Sequence, residues 1–299
     1  MTPQFIAEVS SNHDQDLARS LAFIDAAADI GCSAVKFQLF KLHQLFAPEA
    51  IAAHPELLDR VAWELPTDQL SDIKAHCVER GLQFSVTPFY LDAVEELFPF
   101  VDFYKIASYE LMWDDLLKRC AATKKPIVLS CGMATLEETL RAVNVLRSAG
   151  CDDLTLLHCI SGYPTPFEQC NLAAIATLRD ACKCPVGWSD HSVNADVIVR
   201  AVRHWGASMV EFHLDLDGKG AEYASGHCWL PGQIAPVISE VNLEKTQDTK
   251  ISPADGDGVK VAVAAELHDR EWRADPSDGL RPLLHVRKTL AATSNANNG

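Results

Sequence analysis

The sequence predicts an α/β fold, a (β/α)8 or TIM barrel with a short C-terminal extension. Three observations carry that expectation. Eight short β-rich runs recur along the 299 residues, segments with helical periodicity separate most of them, and no glycine-rich dinucleotide fingerprint follows the first run. The last point disfavours the competing architecture, an open eight-stranded α/β sheet.

The first run, FIAEV (5–9), precedes DLARSLAFIDAAADIG (16–31), a helix closed by the C-cap-like Gly31. AVKFQLF (34–40) is the second strand. A long connection (41–82) follows, with an extra loop before the helix PTDQLSDIKAHCVERG (66–81). QFSVTPF (83–89), DFYKIAS (102–108) and PIVLSCG (126–132) are strands three to five. The next helix, TLEETLRAVNVLRSAG (135–150), opens on Thr135 with Glu138 three residues on, a capping box, and ends at Gly150. LTLLHC (154–159), PVGWSD (185–190) and SMVEFHLDL (208–216) complete the eight. Asp190 reads as the N-cap of the helix in VNADVIVRAVRHWG (193–206). The last barrel helix is expected near the end of 220–247. The barrel then spans 1–247 and an Arg- and Trp-containing extension spans 248–299, with SNANNG (294–299) disordered.

Composition narrows the function classes. Nearly half of the residues (48%) are hydrophobic and 22% are charged, which is globular, and no run of eighteen or more apolar residues indicates a membrane span. The net charge of −15 argues against nucleic-acid and anionic-membrane partners, yet leaves room for a small anion in a local basic pocket. MTPQFIAEVSSNH has no secretory signature, so a cytoplasmic protein is expected. Ten scattered cysteines without a Cys-x-x-Cys pair read as reduced thiols rather than a zinc site.

Barrels carry chemistry at the C-terminal ends of their strands. Those ends offer Glu8, Asn12, His13, Lys36, Gln38, Thr87, Lys105, Ser108, Ser130, His158, Ser161, Tyr163, Ser189, Asp190, His191, Glu211, His213, Asp215 and Asp217. Two lysines converging on one mouth would repel each other unless an anion lies between them. With the hydroxyls they describe a phosphate or carboxylate receptor. His191 and His213, on neighbouring strands, can share a divalent metal.

These residues, in this order, resemble the N-acetylneuraminate (sialic acid) synthase family. The resemblance lies in IAEVSSNHDQDLARSLAFIDAAADIGCSAVKFQLF, KIAS, LSCGMATLEE, HCISGYPTP and SDHS, and spans roughly residues 5–217. It implies a metal-dependent transferase of sialic acid biosynthesis that condenses phosphoenolpyruvate with an amino-sugar aldose. The product would be a 2-keto-3-deoxy sugar acid, with release of phosphate. By this likeness Lys36, Lys105, Ser108, Ser130 and Ser189 hold phosphoenolpyruvate, with Thr87 and Ser161 beside them. His191 and His213 are the metal pair, for Mn, Mg or Co. Glu8 is the acid or base beside the acceptor, Tyr163 a pocket wall, and Glu222 stands in for a sugar-binding aspartate. Asn12 and Gln38 complete the substrate-facing set. A homodimer is a family expectation.

The chain departs from the pattern in places. Phe212 stands where the family usually has lysine, and the C-terminal antifreeze-like domain, whose arginine contacts the sugar, is expected to be missing. Arg270, Arg273 or Arg281 is then a candidate replacement, against a tail that merely packs Trp272 on the barrel. His227 in SGHCWLP reads as a third metal or substrate contact or, the preferred reading, as a structural loop histidine. Three other functions compete. They are condensation with a different aldose, as in deoxy-octulosonate phosphate synthases, a Schiff-base aldolase using Lys105, and a non-catalytic barrel.

Overall fold

The computed structural model describes residues 2–243 and 251–297. Eight parallel strands close into a barrel: β1 (Gln4–Glu8), β2 (Ala34–Leu39), β3 (Gln83–Pro88), β4 (Phe103–Ile106), β5 (Ile127–Ser130), β6 (Leu154–Cys159), β7 (Val186–Asp190) and β8 (Met209–Leu214). They pair in sequence order, and β1 returns to β8 to shut the ring. A two-residue strand, β9 (Cys228–Trp229), adds to the far side of β8, with His213 opposite Cys228.

Helices alternate with the strands as the periodicity predicts: α1 (Leu17–Asp29), α2 (Leu70–Glu79), α3 (Ala93–Leu97), α4 (Asp114–Ala122), α5 (Leu136–Ser148), α6 (Ala174–Cys182), α7 (Ala195–Arg203) and α8 (Pro231–Asn242). The capping box of α5 is present, Thr135 accepting from the Glu138 amide and Glu138 from the Thr135 amide. One cap differs from expectation. Asn194, not Asp190, caps α7, because Asp190 is consumed elsewhere: its carboxylate accepts from the indoles of Trp188 and Trp229 at 3.0 and 2.9 Å. It also accepts from the Ser192 hydroxyl at 2.6 Å.

Two-residue alternation builds the site. Ile6, Ala34, Phe103, Val128, Leu157 and Met209 pack together as an apolar plug inside the barrel. Two residues further along the same six strands come Glu8, Lys36, Lys105, Ser130, Cys159 and Glu211, also facing inward above that plug. Gly187 is the seventh strand's counterpart in the floor. A Cβ there would stand 2.3 Å from the Met209 carbonyl oxygen and 2.7 Å from Leu157, so only glycine fits, and Ser189 follows two residues on. The other alternation faces the helices: Val35, Phe37, Tyr104, Leu129 and Phe212 are buried in the layer between strands and helices.

The extension is laced over the loops at the catalytic face. Asp255 pairs with Arg200 of α7 and accepts from the Trp205 indole at 2.7 Å. The buried Glu266 carboxylate accepts from the amides of Met133 at 2.6 Å and Ser161 at 2.8 Å. A final helix, α9 (Leu284–Asn297), packs on the short helix Pro48–Ala53. Residues 298–299, and the expected boundary between 247 and 248, lie outside the described residues. All ten cysteines are unpaired. Among the described residues no helix is long and apolar enough to cross a membrane.

Candidate active site

A cavity of about 380 Å³ opens above the apolar plug at the C-terminal ends of the strands. Its floor is a charge network. Lys105 lies 3.1 Å from Glu211, and Lys36 lies 3.9 Å from the same carboxylate. Lys36 also contacts Glu8 and donates to the Thr87 hydroxyl at 3.2 Å. The Ser189 hydroxyl donates to Glu211 at 3.2 Å. Register explains the clustering: Glu8 is level with Lys36 on one side and with His213 on the other, and Ser189 is level with Glu211.

Burial acts on every charge here. It pulls Lys36 down to about 7, and Lys105 adds repulsion, while Glu211 and the adjoining Glu8 favour the ammonium form. For Glu211 burial works against the carboxylate, but Lys105 and Lys36 outweigh it and hold the group below the usual carboxylate range.

The opposite wall carries imidazoles. His191 hydrogen-bonds the Ile160 carbonyl oxygen through Nδ1 at 2.9 Å, so Nδ1 carries the proton and Nε2 keeps its lone pair. The rings of His191 and His213 are 5.4 Å apart, and Tyr163 stacks against His191 at 4.5 Å. Burial, then the neighbouring His213, pull His191 down to about 3. Burial lowers His213 as well. Both are therefore neutral at pH 7, the form that binds metals. Two buried imidazoles with a carboxylate beside them suit a divalent ion, so the residues fit the group that the family likeness implies.

Glu222 joins this wall. Its carboxylate accepts from Ser10 at 2.6 Å and lies 3.0 Å from His213 Nδ1 and 3.6 Å from His227 Nε2. Burial opposes its charge, but the bonds to His213 and His227 prevail and hold it well below the usual range. Gln38 connects the halves, donating to Glu8 at 3.0 Å and to Ser10 at 2.9 Å. A continuous chain thus runs from Lys36 through Glu8, Gln38 and Ser10 to Glu222 and His213.

Of the residues expected from the sequence, Lys36, Gln38, Thr87, Lys105, Ser108, Ser130, Tyr163, Ser189, His191, His213 and Glu222 line the cavity. Three do not. Glu8 is buried against Lys36 and Gln38 and does not line the cavity. Asn12 is a brace: its amide donates to the Leu214 carbonyl at 3.0 Å and its oxygen accepts from the Glu222 amide at 2.8 Å. Ser161 sits behind Gly132, with its amide on Glu266. Of the three arginines, Arg270 and Arg273 pair with Glu138. Arg281 lines the cavity, ion-paired with buried Glu110 and 4.2 Å above the Tyr109 ring. Trp272 packs on Phe46 and His54, so the extension both packs and contributes to the site.

Sequence reasoning gave no role to Glu211, Arg60, Tyr109 or Asp269, all of which line the cavity. Glu211 had a signal, since it precedes His213 by two in one strand and shares its face. Arg60 lies in the 3-10 helix Pro55–Trp63 and Asp269 in the one-turn helix Leu267–Glu271, both too short for a period to indicate direction.

The profile of the NeuB family matches residues 23–251. The chain is 35% identical over 274 residues to an N,N'-diacetyllegionaminic acid synthase of Campylobacter jejuni, covering 87% of this chain and 80% of that one. It is 31% identical over 232 residues to a pseudaminic acid synthase of Helicobacter pylori, with 72% and 66% covered. A crystal structure of an N-acetylneuraminic acid (sialic acid) synthetase from Leptospira borgpetersenii, in complex with citrate, superposes with a TM-score of 0.73 at 30% identity, over 80% of this chain and 82% of that one. Barrel, cavity and matched residues lead to one conclusion: the chain belongs to the NeuB family.

Proposed function

We propose that this cavity joins phosphoenolpyruvate to the open-chain aldehyde of an N-acylated amino-sugar aldose, forming a sialic-acid-like 2-keto-3-deoxy acid and releasing phosphate. Family membership carries the coarser statement, a phosphoenolpyruvate-condensing synthase of nonulosonic acids. The finer reading rests on one observation: Lys36, Lys105 and several hydroxyls line the same cavity as the imidazoles of His191 and His213.

Lys36 and Lys105, ion-paired with Glu8 and Glu211, bind the phosphate and carboxylate of phosphoenolpyruvate. Ser108, Ser130 and Ser189 donate hydroxyl hydrogens to the same anion; the Ser130 hydroxyl is buried without a protein partner, as a ligand-facing donor should be. His191 and His213 would hold a divalent ion, which supplies Lewis-acid polarisation of the aldehyde oxygen. Tyr163 walls the acceptor end and Arg281 faces it from the extension. Glu222, linked through Ser10 to Gln38, closes the imidazole end of the cavity, where the acceptor sugar would lie. A Schiff-base aldolase would need the Lys105 nitrogen free to attack a carbonyl, and here it is held by Glu211 at 3.1 Å.

The test is phosphate release from phosphoenolpyruvate across a panel of aldoses, including acetylated and diacetylated amino hexoses and arabinose 5-phosphate, with and without Mn, Mg or Co. Release with an amino-hexose and a metal supports the reading; none with any acceptor overturns it. Borohydride trapping of a keto acid on Lys105 would instead establish the aldolase.

A further inference from the structure

We propose that His227 is a third imidazole ligand of the metal centre, and that Glu222 is a ligand between it and His213. This rests on the reading above only in requiring a metal at that wall. The side-chain donors of His213, Glu222, His227 and Cys228 all lie within 4.8 Å of one another. The Glu222 carboxylate oxygen is 3.0 Å from His213 Nδ1 and 3.6 Å from His227 Nε2. Ligands bonded at 2.0–2.2 Å to one ion stand about 3.0–3.5 Å apart, so these separations are those of neighbouring ligands. The second imidazole nitrogen of His227, Nδ1, is buried without a partner, and the residue as a whole is 5% exposed.

The segment that delivers His227 is rigid. β9 fixes Cys228 opposite His213, and the Trp229 indole donates to Asp190 at 2.9 Å. Asn12 ties the Leu214 carbonyl to the Glu222 amide. Gly220 lets this loop pass: a Cβ there would stand 2.4 Å from the Asp215 carboxylate and 2.5 Å from the Asn12 amide oxygen. Such outer contacts orient metal ligands. The imidazoles of His213 and His227 are 4.6 Å apart, closer than the 5.4 Å between His191 and His213. A donor set of imidazoles and a carboxylate, with the Cys228 thiol at its edge, suits Zn2+, Co2+ or Fe2+ and disfavours Mg2+.

Cobalt titration of the metal-stripped full chain tests this, read by visible d–d absorption and by the metal-induced rise in melting temperature. His227→Gln should weaken Co2+ binding by about tenfold or more and alter the band, and His227→Asp, which keeps a ligand, should recover part of it. His43→Ala, at an exposed position, should change nothing. Millimolar Mg2+ should not displace the cobalt, whereas Zn2+ should. Co2+ binding equal in wild type and in a folded His227→Gln overturns the inference and leaves the synthase reading intact. A wild type that binds no Co2+ or Zn2+ overturns both the inference and the metal half of that reading.

Discussion

The cavity has two halves built by different means. The lysine floor comes from strand positions two residues above an apolar plug, and each cation there has a carboxylate against it. The imidazole wall gathers around one carboxylate, Glu222, delivered by the loop after β8. The floor is thus preorganised for charge before any ligand enters, while the wall keeps lone pairs available. In a buried site the first arrangement suits an anion and the second a metal ion. Gln38 and Ser10 join them, so each half senses the other through hydrogen bonds.

Breaking the floor should have the largest effect. Lys105→Met is expected to lower kcat/KM for phosphoenolpyruvate by about 10^3-fold. It should also lower the melting temperature, since leaving Glu211 less compensated costs about 3 kcal/mol. Adding Glu211→Gln should restore the melting temperature without restoring activity; recovery of both would remove Lys105 from the chemistry. Breaking the wall should act differently. Stripping divalent ions should abolish phosphate release yet weaken phosphoenolpyruvate binding, measured by calorimetry, by less than about tenfold. Equal losses in both would mean that the halves are not separable.

The pH profile sharpens the comparison. Lys36 is faced by Glu8, Thr87, Lys105 and Glu211, with Glu222 further off, and burial brings it to about 7. Its ammonium is lost as pH rises, so the KM for phosphoenolpyruvate should climb above pH 7, by up to about tenfold per unit. Lys36→Arg should flatten that rise, and a KM that is already flat from pH 6 to 9 in wild type counts against Lys36 as an anion ligand. At the outer edge, Arg281→Ala combined with Glu110→Gln should raise the acceptor KM by about tenfold at constant phosphoenolpyruvate KM. The smallest effect concerns the scaffold beneath both halves. His158 is fully buried on β6, and burial lowers it to about 3. A histidine depressed in the folded state binds its proton more readily when unfolded. Its stabilising contribution is therefore complete above about pH 6.5 and falls by up to about 1.4 kcal/mol per unit below that. Thermal melting between pH 7 and 5 reads it, and the slope should lessen in His158→Gln.

Much of this was legible beforehand because strands and helices carry periods. Lys36 and Lys105 could be placed at strand ends, and His191 and His213 on neighbouring strands, from alternation alone. Glu8 shows where that reading stops. Its strand position was right, but whether a carboxylate meets ligand or a neighbour depends on what stands level with it, and Lys36 does. Asp190 shows the same limit: a carboxylate before a helix reads as a cap until the indoles of Trp188 on its own strand and of the distant Trp229 take it.

Local pattern by itself therefore determined the eight strands, their order, the inward face of each and the family. It did so because side-chain direction follows backbone period, which neighbouring residues set. Tertiary structure alone decided which inward groups neutralise one another, that Arg281 reaches the cavity while Arg270 and Arg273 bind Glu138, and that Glu222 and His227 stand beside His213. Those contacts join residues brought together by ring closure and by loops without a repeat, and no local periodicity encodes such distances.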